Sequence, residues 1–369
     1  MALGEWLLLA AFALAGGALA SAVLHAWTRT PSTERRSVLL TFAAAGLCAL
    51  AYLTLMGHFL ARDYGTYYVW NYSDDGTPLY LRVAGTWAGA AGSVFLWATL
   101  IGAAIAAEEL WRRRARARGE GGAEGPLPAV VRCAALAIFA VFLYLTLAAR
   151  PFAPTLDYHF DGAAGFFTFQ PGMRGLPSPL DFRAQGFGLN PLLQTPFMAI
   201  HPPMEFMAYA LTTLVFAFAV ARFVTRDPRW WGGAIFWGRL AWMFYAIALG
   251  LGALWAYYVL SFGGYWAWDP VEVGDLVPFL GLTAFLHAAD MHRKGKAYHL
   301  YAPVLAALVF PLTLFGTFVT RSSYWISAHA FDVGAAAIVT DPSARLVGVV
   351  GAKPQVAAIL ALLLVVLAT

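Results

Sequence analysis

The sequence contains little charge. Only 12% of its 369 residues are Asp, Glu, Lys or Arg, against about 25% in soluble globular domains. Hydrophobic residues make up 60% of the chain and the mean hydropathy is +0.65. With several apolar stretches of about 20 residues, this composition excludes a soluble domain and indicates a membrane protein. The net charge of +4 is explained by basic loops at a membrane surface and does not indicate nucleic-acid binding.

Cysteine is also scarce. The two cysteines, Cys48 and Cys133, lie inside apolar stretches, and the sequence has no Cys-x-x-Cys motif. A disulfide framework and an intrinsic dithiol redox site are therefore excluded. If the chain takes part in thiol chemistry, a partner must supply the thiols. No basic region precedes the first apolar stretch, so we expect a retained helix rather than a cleaved signal peptide.

The apolar stretches predict an all-α, polytopic integral membrane protein with about nine transmembrane helices. We divide the chain into an N-terminal four-helix membrane region (1–149), an outer loop segment (150–203), a core (204–353), and the start of a further helix (354–369), which we expect to be followed by more chain. The predicted spans are 4–24, 38–60, 86–107, 129–149, 204–222, 238–260, 276–291, 300–319 and 354–369.

The distribution of basic residues predicts the orientation. Positive residues concentrate in cytoplasmic loops, and here they follow the first, third, fifth and seventh spans. The N-terminus, the loop at 261–275 and the segments 61–85, 150–203 and 320–353 are therefore expected on the outer face. Sixteen of the 24 basic residues lie in these four regions: Arg29, Arg35, Arg36, Arg112, Arg113, Arg114, Arg116, Arg118, Arg132, Arg222, Arg226, Arg229, Arg239, Arg293, Lys294 and Lys296.

The loop at 261–275 combines aromatic rings with acidic groups. Trp266, Trp268 and Asp269 stand together, and Glu272 and Asp275 follow within six residues of Asp269. The segment is too acidic for hydrocarbon and unusually aromatic for a soluble loop. We predict an aromatic platform at the membrane surface that holds a flat apolar molecule.

Two histidines are predicted at the same outer face. His201 opens His-Pro-Pro-Met before the fifth span, and His329 follows the eighth. Two imidazoles beside an aromatic floor are a layout for axial ligation of a haem iron, and Arg183 and Arg321 are candidates for its propionates. The alternative is that both histidines are interfacial residues at helix ends.

His287 is predicted within the bilayer, about 18 Å along the seventh span from Asp275. An ionisable residue there is a functional candidate, although His287 could instead reach the nearby interface. No strong role is predicted for the remaining five histidines: His25, His58, His159, His292 and His299.

Gly263 to Glu272 (GGYWAWDPVE) resembles the tryptophan-rich WWD signature of the haem-handling proteins of cytochrome c maturation, and the chain as a whole is most similar to their haem lyase branch. Tyr265 stands where this family often has Trp. Three further segments match family patterns in the same order, which makes the resemblance specific: Trp87 to Trp97, Gly188 to Met204, and Leu314 to Phe331.

The resemblance implies roles for particular residues. His201 and His329 are expected to be the axial ligands of the haem under transfer, and His287 one of two ligands of a resident b-type haem. The other ligand of that haem would come from a later helix. The haem platform is expected to be formed by Tyr265, Trp266, Trp268 and Asp269. The residues expected to take part in catalysis are Trp266, Trp268, Asp269, His201 and His329.

The implied activity is that of a holocytochrome c synthase, a haem lyase working in a complex in the bacterial inner membrane. It would promote thioether bonds between haem vinyl groups and the Cys-x-x-Cys-His motif of apocytochrome c. The implied partners are a haem chaperone of the CcmE type and thioredoxin-like or CcmH-type subunits that bind the apocytochrome. Two alternatives remain open at this point: a haem exporter that forms no thioethers, and a transporter or quinol-binding subunit whose Trp loop is an interfacial belt.

Overall fold

The computed structural model describes residues 2–119, 125–161, 166–169, 185–260, 263–294, 299–322, 324–325, 327 and 354–368. The fold of these residues is all-α, as predicted, apart from one antiparallel hairpin formed by β1 (Tyr158–Asp161) and β2 (Phe166–Phe169). The helices are α1 Leu3–Thr28, α2 Pro31–Ala61, α3 Tyr67–Tyr72, α4 Leu79–Ala88, α5 Ala90–Ala117, α6 Leu127–Ala149, α7 Pro196–Thr225, α8 Trp230–Val259, α9 Pro270–Arg293, α10 Tyr301–Ser322 and α11 Pro354–Ala368.

Eight of the helices in the described ranges are long and apolar enough to cross a membrane: α1, α2 and α5 to α10. They correspond to the first eight predicted spans and confirm a multi-pass membrane protein. The ninth prediction, 354–369, corresponds to α11, an apolar helix of 15 residues.

Five predicted helix starts were wrong by four or more residues. α2 begins at Pro31 instead of 38, and α8 at Trp230 instead of 238. α5 begins at Ala90 and runs to Ala117, rather than 86–107, because Gly89 is extended (φ −108°, ψ 176°) and separates it from α4. α7 begins at Pro196 instead of 204, and α9 at Pro270 instead of 276. Hydropathy detects the apolar middle of a span, whereas proline at the first helical position and polar caps determine where the helix begins.

The long helices pack as antiparallel neighbours. α1 packs against α2, α5 against α6, α7 against α8, and α9 against α10. The connection between the two helices of each pair therefore lies at one end of the bundle, which we call the basic end. Its described residues are 29–30, 118–119, 125–126, 226–229, 294 and 299–300. The described basic residues used to predict the orientation lie within six residues of these connections, except Arg239, which lies further along α8.

Small residues allow close helix packing, as is common in membrane proteins. On α1, Ala11, Ala15 and Ala18 recur along one face and are fully buried. On α9 and α10 the backbones themselves meet at Gly274 and Gly316. A Cβ added to Gly316 would lie 2.2 Å from the Gly274 carbonyl oxygen, so this crossing requires glycine.

α7 occupies the centre of the bundle. It packs against α5 and α6 on one side and α8 and α10 on the other, and 72% of its most apolar segment is buried. At the end opposite the basic end, α3, α4 and the residues before α7 cover the long helices. Phe187 N–H donates to the Trp70 carbonyl at 2.7 Å, and Thr155 N–H donates to the Gly65 carbonyl at 2.8 Å.

Two prolines lie inside the first turns of α7. Pro202 has no N–H, so the Met198 carbonyl four residues earlier loses its helical donor. The Trp87 indole Nε1–H of α4 donates to that carbonyl at 2.9 Å. Pro202 therefore leaves a free carbonyl acceptor inside α7, and the Trp87 indole takes the place of the missing backbone donor.

Replacing Trp87 with Phe should lower the stability of the protein. The ring is retained, but the Met198 carbonyl is left without a partner, at a cost of about 1–3 kcal/mol. Thermal unfolding in detergent measures the effect. Trp27→Phe is the control, because that side chain is 87% exposed. An equal melting temperature for both variants would contradict the role assigned to the indole N–H.

Candidate functional site

A cavity of about 890 Å³ opens at the end opposite the basic end. Its volume falls within the roughly 300–1,000 Å³ typical of ligand and cofactor sites. The walls come from the start of α5, α7 and α9 and from the last turns of α8 and α10. The lining includes Trp87, Ser93, His201, Glu205, Tyr209, Ala248, Gly252, Trp255, Trp266, Glu272, Asp275 and Arg321.

His201 lies within α7, in its second turn, and lines the cavity. Its Nδ1 is 2.9 Å from the Ala248 carbonyl oxygen of α8. A carbonyl can only accept, so Nδ1 carries the proton and Nε2 is left to bind another group. Histidines that ligate metals are commonly oriented by this kind of second hydrogen bond.

The position of the His201 ring is fixed on two further sides. Trp255 contacts it edge to face, with ring centroids 5.8 Å apart. A Cβ added to Gly252 would lie 3.1 Å from His201 Cε1, so the absence of a side chain there makes room for the imidazole. The ring is therefore held between α7 and α8.

Glu205 lies one helical turn beyond His201. Its Oε2 is 3.3 Å from His201 Nε2. This contact requires one proton, carried either by Nε2 or by the carboxyl group. A metal that binds Nε2 would replace that contact.

Tyr209 continues the same face of α7 and is buried. Its hydroxyl oxygen lies 2.5 Å from Glu205 Oε1 and 2.6 Å from Asp275 Oδ1 of α9. One hydroxyl has one proton and cannot donate to both carboxylates. At one of the two contacts the carboxyl must donate, so Glu205 and Asp275 together hold at least one proton.

Arg321, in the last turn of α10, lines the same cavity. Its Nη2 donates to Ser93 Oγ of α5 at 2.8 Å, and its Cζ lies 6.0 Å from the centre of the Phe206 ring. The guanidinium provides positive charge near Glu205, which shares at least one proton with Asp275. This arrangement keeps the buried charge of this part of the cavity close to balance.

The structure places the aromatic residues of the predicted platform in two different environments. Trp266 lines the cavity, and Trp268 meets it edge to face at 5.9 Å but is 72% exposed and has φ +57°. Tyr265 is exposed and stacks on Tyr257 of α8 at 4.5 Å. Of these three aromatic residues, one faces the cavity and two lie on the outer surface.

Asp269 is the N-cap of α9. Its carboxylate accepts from Val271 N–H at 2.9 Å and from the Ser327 hydroxyl at 2.6 Å. Glu272 completes a capping box, since its Oε2 accepts from Ala267 N–H at 2.9 Å and Asp269 N–H at 3.2 Å. These bonds hold the loop that carries Trp266 and place Glu272 in the cavity wall.

His287 lies elsewhere, exposed on α9, 17 residues after Pro270 and therefore about 26 Å along the helix. Its Nδ1 is 2.9 Å from the Thr283 carbonyl oxygen, which leaves Nε2 facing outward. His58, at the opposite end of the bundle, pairs with Asp63 at 2.6 Å. His329 and Arg183 lie outside the described residues.

Comparison with known proteins decides the family. The model of the family described as "Cytochrome C assembly protein" matches residues 121–326. The chain belongs to the cytochrome c assembly protein family. That span includes His201, the loop at 261–275 (the WWD loop) and the cavity walls from α7 to α10.

Individual relatives sharpen the assignment to CcmF and confirm the resemblance to the haem lyase branch. The cytochrome c-type biogenesis protein CcmF of Escherichia coli (strain K12) is 33% identical over 90% of this chain and 45% of its own length. The biogenesis protein ccl1 of Rhodobacter capsulatus is 34% identical over 78% of this chain and 40% of its own. The chain spans about half the length of the curated relatives it matches.

A solved structure titled "Cytochrome c Heme Lyase CcmF" has the same fold. Its TM-score is 0.67 at 24% identity, and the match covers 97% of this chain and 51% of that one. The architecture of the bundle is therefore shared with that protein.

Two residues of the cavity, Glu205 and Tyr209, were not predicted as site residues from the sequence. His201, Glu205 and Tyr209 recur every four residues, which places them on one face of a helix. That signal was hidden because the helix was predicted to begin at 204. The partnership with Asp275 and the contribution of Gly252 depend on tertiary packing and have no local signal.

Replacing Tyr209 with Phe should destabilise the protein. The change removes the hydroxyl between two buried carboxyl groups, and each lost buried hydrogen bond costs about 1–3 kcal/mol. Tyr245→Phe is a matched control, because that hydroxyl is equally buried but contacts one neutral group, Thr313 Oγ1, at 3.0 Å. A melting temperature no lower for Tyr209→Phe than for Tyr245→Phe would contradict the special role of Tyr209.

Replacing Glu272 with Ala should loosen the loop before α9. The amides of Ala267 and Asp269 lose their acceptor, so their hydrogen exchange should accelerate at least about fivefold, given a capping contribution of about 1 kcal/mol or more. Hydrogen–deuterium exchange of peptides covering 263–273 measures this. Glu5→Ala removes the corresponding acceptor at α1, 3.1 Å from Ala2 N, and should leave these peptides unchanged; acceleration in both variants would contradict the local effect.

Proposed function

We propose that this chain holds haem in the cavity beside the WWD loop and positions it for covalent attachment to apocytochrome c. The observation that carries the proposal is the orientation of His201. Its Nδ1 is bound to the Ala248 carbonyl, and its Nε2 faces a cavity large enough for a cofactor. Haem is the substrate in this proposal.

An unused donor in the cavity wall fits such a substrate. Among the described residues, the buried Trp255 Nε1–H has no hydrogen-bond partner. An indole N–H and the guanidinium of Arg321 are donors suited to propionate oxygens. The faces of Trp87 and Trp266 offer apolar surface for the ring.

Attachment requires a thiol and a vinyl group. The S–H bond adds across the vinyl double bond, so that sulfur bonds to the carbon next to the ring and the hydrogen goes to the terminal carbon. No oxidant is consumed. Both cysteines of the chain, Cys48 and Cys133, lie in membrane-spanning helices and away from the cavity lining, so the thiols come from the apocytochrome.

The contribution of the protein is mainly positioning. Holding two reactants in a near-attack arrangement supplies about 7–11 kcal/mol in favourable cases. His201 would hold the iron on one side, and we propose His329 as the ligand on the other. Trp268 and Tyr265, exposed beside the cavity, form a surface on which the apocytochrome could dock, and Arg183 remains a proposed propionate partner.

His287 is proposed as one ligand of a resident b-type haem. Its bond to the Thr283 carbonyl leaves Nε2 free and exposed on α9, which fits a ligand whose partner approaches from outside the described bundle. Such a haem would supply electrons to keep the transferred iron reduced. His58 does not fit as the partner, because it lies at the other end of the bundle and binds Asp63.

The proposed setting is the bacterial inner membrane, with the N-terminus and the WWD loop on the periplasmic side. It rests on the concentration of arginine at the basic end. The haem chaperone, the apocytochrome and the thioredoxin-like or CcmH-type subunits would then meet the cavity from that side.

The proposal is tested by changing how His201 is held. In the full-length protein, His201→Ala should abolish most covalent haem on a reporter cytochrome. Gly252→Val keeps the imidazole but displaces it, and should also lower the yield, by about tenfold or more if the position of the ring matters. His25→Ala, at the basic end, is the control.

Two readouts separate the possible outcomes. The Soret absorption of the purified protein reports haem binding, and haem staining of the reporter reports attachment. Normal attachment in both His201→Ala and Gly252→Val would overturn the proposal. A wild-type protein that binds haem but yields no thioether in a reconstituted system would instead favour the exporter.

A further inference from the structure

An ionic cluster joins α2, α5, α6 and α8 at the basic end. Arg132 donates to both oxygens of Glu109, at 2.7 and 2.9 Å, and both side chains are almost fully buried. Arg112 pairs with Glu108 at 2.9 Å, and Trp237 Nε1 of α8 donates to the same carboxylate at 2.7 Å. The remaining pair joins Arg116 to Glu34 at 3.0 Å. Three carboxylates thus offset three guanidinium groups.

A cavity of about 160 Å³ lies beside this cluster. It carries two further positive charges, because Arg35 of α2 and Arg113 of α5 stand on its rim and form no ion pair among the described residues. Arg112 Nη1 is also buried without a hydrogen-bond partner there. The lining consists of Pro31, Glu34, Arg35, Val38, Glu109, Arg112, Arg113 and Arg116.

The excess charge and the unused donor point to an anion with several acceptor oxygens. Arginine recognises phosphate through paired N–H donors. The cavity is far smaller than the roughly 300–1,000 Å³ of sites that enclose a whole ligand. The cavity can hold a phosphate group, and the rest of the molecule that carries this phosphate lies outside.

The surroundings of the cavity indicate that the molecule carrying the phosphate is a membrane lipid. Trp111, 45% exposed, stacks on Phe236 at 5.2 Å and marks the interfacial level where aromatic residues concentrate. Arg113 extends over the Phe42 ring, 5.4 Å from its centre. Leu39, 54% exposed, continues the apolar surface toward the bilayer interior.

We propose that this cavity binds the phosphate of an anionic phospholipid headgroup, with the acyl chains along α2 and α5. Basic pockets between transmembrane helices are suited to such headgroups. The bound lipid would complete the charge balance of the cluster and stabilise the junction of α2, α5 and α6.

The experiment compares lipids on the purified full-length protein. Phosphatidylglycerol should be retained in native mass spectra and raise the melting temperature more than phosphatidylcholine does. The double variant Arg35→Gln/Arg113→Gln should bind phosphatidylglycerol at least about tenfold more weakly. Arg36→Gln/Arg114→Gln removes two neighbouring exposed arginines that do not line the cavity, and should change binding less than about twofold.

Three results would overturn the proposal. Equal retention of the two lipids by the wild-type protein would exclude an anion site. Equal losses in the two double variants would show unspecific attraction to a basic surface. Inorganic phosphate that reproduces the full thermal shift at millimolar concentration would assign the cavity to a soluble phosphate instead of a lipid.

Discussion

The cavity depends on the hydrogen bonds of Tyr209. Its hydroxyl lies between Glu205 of α7 and Asp275 of α9, in a part of the protein where water does not compensate unpaired polar groups. The shared proton of the two carboxyl groups and the nearby Arg321 limit the cost of burying them. Because Arg321 also binds Ser93, four helices that form the walls are joined at one place.

This constraint fixes His201. The face of α7 that carries Tyr209 and Glu205 also presents the imidazole, and α8 holds the ring through the Ala248 carbonyl and the space left at Gly252. Glu205 contacts the Nε2 that would bind iron. Under the proposed function, iron binding would require Glu205 to give up this contact, and the carboxyl pair of Glu205 and Asp275 would lie close enough to accept the proton shared with His201. Metal binding at histidine is generally coupled to proton release in this way.

The sequence was sufficient for the fold class, eight spans, the common end of the arginine-rich connections and the family. It was insufficient to predict the residues at which several helices begin. The segment Asp269-Pro-Val-Glu272 contains a complete capping signature, but hydropathy detects only the apolar middle of a span and does not include these acidic residues in the helix. For the same reason hydropathy does not include His201 in α7. Tertiary partners such as Trp87 with Met198, or Gly274 with Gly316, could not be predicted because they depend on how helices cross.

The two ends of the bundle solve the same electrostatic problem differently. At the basic end, Glu109 and Arg132 form a bidentate buried pair, and three carboxylates offset three guanidinium groups, although Arg112 Nη1 and Arg132 Nη1 have no hydrogen-bond partner among the described residues. At the opposite end, polar groups of the cavity wall remain available to a ligand. His201 Nε2 contacts Glu205, which a metal could replace, and Trp255 Nε1–H and Glu272 Oε1 have no hydrogen-bond partner among the described residues. Buried polar groups without partners are costly. Under the proposed function, the carboxylate arms of haem would give the Trp255 Nε1–H an acceptor, and the bound substrate would thereby stabilise the site.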